Sequence, residues 1–183
     1  MDQTKRIIRG KVYVLGNDID TDLIIPAKYL NLVPTIPEEL KKLGSYALAG
    51  LPEEFPRFVE EGKFQTEFPI IVAGNNFGCG SSREQAPNAL AAAGVKAVIA
   101  HSFARIFLRN VIATGEFYPI ETHNLINGEF KTGQEVEVNL DTHEIKQAAT
   151  SRSFPLQPLG YVAPIVEAGG IFAFARQQGM IKR

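Results

Sequence analysis

The chain has a single cysteine, Cys79, among 183 residues. No disulfide can form within it, and an iron–sulfur cluster held by this chain alone would lack the several thiolates such clusters use. Neither sign of charge dominates: Lys+Arg number 19 and Asp+Glu 20, a formal net charge of -1. That balance argues against a nucleic-acid binder, which carries a basic excess on one face, but leaves room for a local anion site. No apolar run reaches membrane-spanning length, and Met1 to Arg6 runs into an apolar strand without a signal-peptide core. A soluble, cytoplasmic protein is the expectation. His101, His123 and His143 are scattered without metal-ligand spacing. Hydrophobic residues make up 45%, and a chain of this size buries roughly 70% of its unfolded surface, so one domain with a real core is expected.

What is present alternates between strands and helices. Gly10 to Leu15 reads as a strand, followed by a polar loop to Asp22 and the apolar Leu23-Ile24-Ile25. Pro37-Glu38-Glu39 opens a helix to about Gly44, because proline suits a first turn and acids suit the positive end of the dipole. Pro52 and Pro56 interrupt the next stretch, leaving a short helix around Phe58 to Glu61. Phe68 to Ala73 and Ala97 to Ala100 are short, continuously apolar strands, as in a buried parallel sheet. A helix to Ala93, closed by Gly94, joins them. Another, Ser102 to Ile112, ends near Gly115 and leads to a strand at Phe117 to Ile120. Residues 68 to 120 thus predict a β-α-β-α-β core with parallel pairing. Glu135 to Leu140 alternates with period two, Asp141-Thr142-His143 turns, and Glu144 to Ala148 returns as a hairpin. Val162 to Gly179 carries helical pieces around Gly169-Gly170. The predicted fold class is α/β, one domain over residues 1–183 with a β-rich flank.

The junction from Asn75 to Pro87, NNFGCGSSREQAP, concentrates the chemistry. It lacks the lysine-bearing pattern of a P-loop. Gly78 and Gly80 begin a dinucleotide fingerprint, but Arg83 stands at its third glycine and no acid follows the strand ending at Ala100, so a nucleotide-binding domain is disfavoured. Arg83 also displaces the glycine that a nucleophile elbow needs. Ser81-x-x-Glu84 and Ser82-x-x-Gln85 have capping-box spacing, complicated by Pro87. A well-capped helix would explain the serines alone. Three features together predict more: glycines that let a group approach the backbone, a helix N-terminus with free N–H groups, and the fork of Arg83. They make an anion site for a small acid. Cys79, between two glycines, reads as a packing residue. Arg105 and Arg109, four apart on one helix, suit a solvated surface or a salt bridge.

Asn76 to Glu84 resembles the signature turn of the aconitase superfamily's swivelling domain, and more narrowly that of the small-subunit family of 3-isopropylmalate dehydratases. Asn17 to Pro26 with Tyr29-Leu30, and Ser102 to Phe107 with Asn110, match the same family in the same order, over nearly the whole chain. Gln85 departs from it, standing where many members have histidine. The resemblance implies a swivelling β/β/α domain that interconverts 2-isopropylmalate and 3-isopropylmalate by dehydration and rehydration in leucine biosynthesis. Ser81 matches the family's serine base, whose anion needs preorganised donors. Arg83 matches the residue that binds substrate carboxylate, and Ser82 a further donor. Thr21 would line the site and Asp22 orient Arg83 or a partner histidine, although a plain turn carboxylate accounts for Asp22 equally well. The family's [4Fe-4S] cluster, a Lewis acid for the leaving hydroxide, exceeds what Cys79 can hold. A large iron–sulfur subunit is therefore implied as partner.

The loop after Tyr29 bears on substrate. Homoaconitase-like and aconitase-like relatives carry an arginine there, and this chain has Asn31, Leu32 and Val33. An isopropyl group buried against them would gain about 2.4 kcal/mol, at ~0.8 per carbon. An unpartnered carboxylate would lose several kcal/mol there, unless Lys28 served it. Isopropylmalate is favoured over homoaconitate or a methylated malate. A non-enzymatic carboxylate-binding module is the competing class, and it would have no use for Ser81.

Overall fold

The computed structural model of the chain describes residues 6–181. Met1 to Lys5, expected to lead into the first strand without an apolar leader, lie outside the described residues. Four strands run parallel: β1 (Ile7–Val14), β2 (Ile70–Ala73), β3 (Ala97–Ala100) and β4 (Tyr118–Glu121), each beside the next. Three more, β5 (Glu135–Asn139), β6 (Glu144–Gln147) and β7 (Ser153–Pro155), add antiparallel, giving the order β4-β3-β2-β1-β5-β6-β7. The seam is β1. Its residues Ile7 to Lys11 pair with β5, and Val12 to Val14 pair with β2.

Side chains alternate across a strand, and here both faces are covered. Ile71 and Ala73 of β2 join a core with Leu43, Leu90, Phe107 and Val111, which come from α2 (Pro37–Ser45), α3 (Gln85–Ala92) and α4 (Arg105–Thr114). Ile70 and Val72 join a second core with Val136, Val138 and Ile145 of the hairpin. Burial on both faces is why β2 and β3 read as unbroken apolar runs.

The β-α-β-α-β core and the hairpin fall where the sequence puts them. The differences are local. The first strand begins at Ile7, three residues before Gly10. No helix spans Phe58 to Glu61, which is turns and bends. The Phe58 carbonyl accepts from Thr66 Oγ1 (2.5 Å) and the Pro56 carbonyl from Tyr13 Oη (2.5 Å), tertiary bonds that stand in place of a helical ladder. The helix expected from Ser102 starts at Arg105, because Phe103 is held extended in a bridge to Phe77. It ends with Gly115 in the left-handed region (φ 66°), as a glycine cap should. Two short helices, α5 (Ala163–Glu167) and α6 (Ile171–Gln177), flank Gly169-Gly170. Among the described residues no helix is long and apolar enough to cross a membrane.

Candidate active site

The glycine-rich turn leaves the C-terminal end of β2, the side on which open parallel sheets bind ligands. Backbone bonds pin it: Phe77 N–H donates to Ser102 O (3.0 Å), Ala104 N–H to Phe77 O (2.9 Å) and Gly78 N–H to Ile19 O (2.7 Å). Gly78 has φ 79°, and a Cβ there would lie 2.2 Å from Cγ of Phe107. The close approach that Gly78 permits is therefore to the chain's own core, not to a ligand. Gly78→Ala is expected to destabilise the chain by about 3 kcal/mol, combining overpacking (~1–3 kcal/mol) with left-handed strain (~1–2 kcal/mol). Urea unfolding of the two proteins would measure it. Gly80 (φ 90°) is roomier, with Thr21 Oγ1 3.4 Å from such a Cβ.

A four-residue helix, α1 (Thr21–Ile24), abuts this turn. Asp20 caps it, its Oδ1 accepting from Leu23 N–H at 2.8 Å. Asp20 also bridges to Cys79, and Thr21 N–H donates to Cys79 O at 2.9 Å. Asn76 donates to Asp18 (2.8 Å), and Asn17 accepts from the Asn75 amide (2.8 Å). Two stretches about sixty residues apart thus form one surface. Ser81 is exposed on it, with Thr21, 1% exposed, beneath. Thr21 Oγ1 is 3.1 Å from Ser81 O and 3.2 Å from Ser81 Oγ. Burial pushes the Cys79 thiol pKa up, with Asp20 and Asp18 adding to it, so Cys79 is held as a neutral thiol beside the site.

Arg83 is the most constrained charge here. Its Nη1 and Nη2 donate to Asp22 Oδ1 (2.5 Å) and Oδ2 (2.8 Å), and Nη1 also donates to Ile25 O (3.1 Å). Those bonds use three of the five N–H groups of a guanidinium. Among the described residues Nε–H and the second Nη2 proton have no partner, and they lie together on the guanidinium's side edge. That edge fits a two-pronged carboxylate contact. The Arg83 hydrogen bonds hold the Asp22 carboxyl below its ordinary value, with burial opposing them and the charge attraction adding.

The capping expectation is corrected. The helix starts at Gln85, its cap position is Glu84, and among the described residues no side chain caps it. The cause is Pro87, which has no N–H to donate and is tolerated only within the first turn. Ser81 and Ser82 are left free at the surface, and the Ser81, Ser82 and Gln85 amides have no backbone acceptor among the described residues.

The loop residues divide. Leu32 packs against the chain's own core, while Asn31 and Val33 (44%) are exposed. Glu39 fixes the loop by accepting from Val33 N–H at 2.6 Å. Lys28 sits over the Tyr29 ring, 4.9 Å from its centroid, and Tyr29 stacks on Tyr46. Arg105 and Arg109 are exposed and make no salt bridge among the described residues. Sequence reasoning missed the Ile25 carbonyl, for which no signal exists, and the Asp20 cap, whose Asp-x-x-Leu spacing before a short apolar run was available.

A family model described as the aconitase C-terminal domain matches residues 35–125. The chain is 50% identical to an Arabidopsis thaliana 3-isopropylmalate dehydratase small subunit, covering 98% of this chain and 72% of that one. It is 43% identical to a methanogen homoaconitase small subunit of Methanocaldococcus jannaschii, covering 96% of this chain and 95% of that one. A crystal structure of a 3-isopropylmalate dehydratase from the same organism superposes with a TM-score of 0.78 at 42% identity, covering 95% of this chain and 96% of that one.

Proposed function

The chain belongs to the small-subunit family of 3-isopropylmalate dehydratases, hydro-lyases of the aconitase superfamily, and we propose that residues 1–183 act as one swivelling domain whose substrates are 2-isopropylmalate and 3-isopropylmalate. The observation that carries this reading is Arg83, locked end-on by Asp22, with no partner on its side edge among the described residues, two positions along the glycine turn from exposed Ser81. The side edge clamps a substrate carboxylate. That fixes the adjacent carbon near Ser81 Oγ, which takes its proton as an alkoxide and returns it on rehydration. The open amides at Ser81, Ser82 and Gln85 and the Ser82 hydroxyl supply the preorganised donors that an alkoxide or an enolate-like intermediate needs.

Removing the hydroxide needs a Lewis acid. Among the described residues no group of three or more His, Cys, Asp or Glu could hold a metal, and a single neutral thiol at Cys79 does not fit a cluster. We assign the [4Fe-4S] cluster to a large partner subunit, with the complex working in the cytoplasm in leucine biosynthesis.

Substrate choice rests on the segment from Lys28 to Val33. It offers one cation, Lys28, already engaged by the Tyr29 ring. Asn31 and exposed Val33 suit an isopropyl group better than a third carboxylate, and Leu32 supports the loop from below.

The test is to tag the chain and purify its complex anaerobically from its own cells. The complex is then assayed with 3-isopropylmalate for formation of the unsaturated intermediate, and with homoaconitate and a methylated malate in parallel. Turnover of isopropylmalate that travels with a larger iron-containing subunit, and is absent from the chain alone, is expected. A cluster-loaded complex that prefers homoaconitate would overturn the substrate. One that turns over nothing would favour a carboxylate-binding module.

A further inference from the structure

Ser81 poses a chemical problem that Arg83 does not solve. A serine hydroxyl is a poor acid in water, and the Arg83 guanidinium is turned toward Asp22 and Ile25, where it makes its three bonds. The side-chain group within hydrogen-bond distance of Ser81 Oγ is the hydroxyl of Thr21. Thr21 is 1% exposed, so it does not meet bulk solvent, and its Oγ1 is almost equidistant from Ser81 O (3.1 Å) and Ser81 Oγ (3.2 Å).

We propose that the Thr21 hydroxyl is a two-position donor that positions Ser81 and stabilises its deprotonated form, a role resting on the reading of Ser81 as the base. A hydroxyl has one proton and two lone pairs. When Ser81 is neutral, its O–H donates to Thr21 Oγ1, and the Thr21 proton goes to the Ser81 carbonyl. When Ser81 is an alkoxide it has no proton to give. The Thr21 O–H then rotates about its C–O bond and donates to Ser81 Oγ. No atom is transferred between the two residues. The proton that Ser81 takes from the substrate carbon stays on Ser81 Oγ until rehydration returns it, and Thr21 reverses its rotation as that proton arrives.

The surroundings permit this. The Ser81 carbonyl keeps a second partner, Arg83 N–H at 2.9 Å, when Thr21 turns away. Thr21 itself is anchored through its own amide, which donates to Cys79 O at 2.9 Å. Gly80, at φ 90°, turns the chain so that Ser81 lies over Thr21. Valine in place of threonine keeps shape and branching, and leaves no buried carbonyl without a donor.

The experiment compares Thr21→Val, Thr21→Ser and Ser81→Ala in the intact complex, with kcat and KM for 3-isopropylmalate and thermal unfolding of each. Thr21→Val is expected to lower kcat roughly 10- to 100-fold, the range for losing a hydrogen bond to a charged group. KM should stay within about threefold, because Thr21 does not touch substrate in this scheme. Thr21→Ser, which restores the hydroxyl, should return kcat to within about threefold of the parent. An unchanged kcat in Thr21→Val beside an inactive Ser81→Ala would overturn the Thr21 role alone, and so would failure of serine to rescue. Parental turnover in Ser81→Ala would overturn the base and the role of Thr21 with it.

Discussion

Ser81→Ala is expected to lower kcat about 10³- to 10⁴-fold in the assembled enzyme, the contribution of a positioned general base. The fold gives little reason for any other effect. Ser81 is exposed, and among the described residues it caps no helix and its one side-chain bond is to Thr21. An exposed substitution of this kind changes stability by about 0.5 kcal/mol or less, so the thermal midpoint should move by only about 2 °C. KM should also hold to within about threefold, because the Arg83 edge that meets the carboxylate is untouched. The split between kcat and KM is the informative quantity. A loss of turnover below about tenfold would place the base elsewhere. A raised KM at unchanged kcat would make Ser81 a ground-state contact, as a carboxylate-binding module would require.

The parts of this architecture that could be read in the sequence are those set by local chemistry. Ile70 to Ala73 and Ala97 to Ala100 are apolar at every position because both faces are buried, and that pattern is visible in the letters. Gly115 closing α4 and the hairpin at Asp141 are equally local. The position of β1 is not. It joins the parallel and antiparallel halves by pairing with residues roughly sixty positions away on one side and over a hundred on the other, and no periodicity carries that. The short helix at Phe58 failed because Thr66, eight residues on, takes the Phe58 carbonyl, a contact that hydrophobic spacing does not announce.

In the site, the glycine turn and its serines and arginine stood out as chemistry. Their grouping with Thr21 and Asp22 came only through family resemblance, because the contacts span about sixty residues. Capping-box spacing misled for a local reason. Pro87 sets where the helix begins, and its missing N–H outweighs a serine's preference for a cap. Leu32 looked available because sequence does not tell which side of a loop faces inward, and Leu32 faces the chain's own core.

Arg83→Lys is expected to reduce kcat/KM about 10²- to 10³-fold, although the charge is kept. Lysine cannot replace the planar fork that makes two parallel bonds at each edge. Arg83 uses its end edge for Asp22, and in the proposed clamp its side edge takes the substrate carboxylate. An ammonium is a point charge, so it would satisfy Asp22 or the substrate carboxylate but not both in the same geometry. The pH profile separates this from simple loss of affinity. The bonds from Arg83 depress the Asp22 pKa, so the pair is intact above the ordinary aspartate value of about 3.9 and dissolves only as pH falls through the lower folded value. In the parent, Asp22 therefore contributes no acid limb to kcat/KM in the mildly acidic range. In Arg83→Lys the depression weakens, and loss of the ion pair should move up toward pH 4, read as the Asp22 carboxyl titration by NMR. Asp22→Asn should fall between parent and Arg83→Lys in activity, since a neutral amide still accepts one guanidinium bond. If Arg83→Lys matched the parent in kcat/KM, the two-edged clamp would be wrong, and Arg83 would serve the site by charge alone.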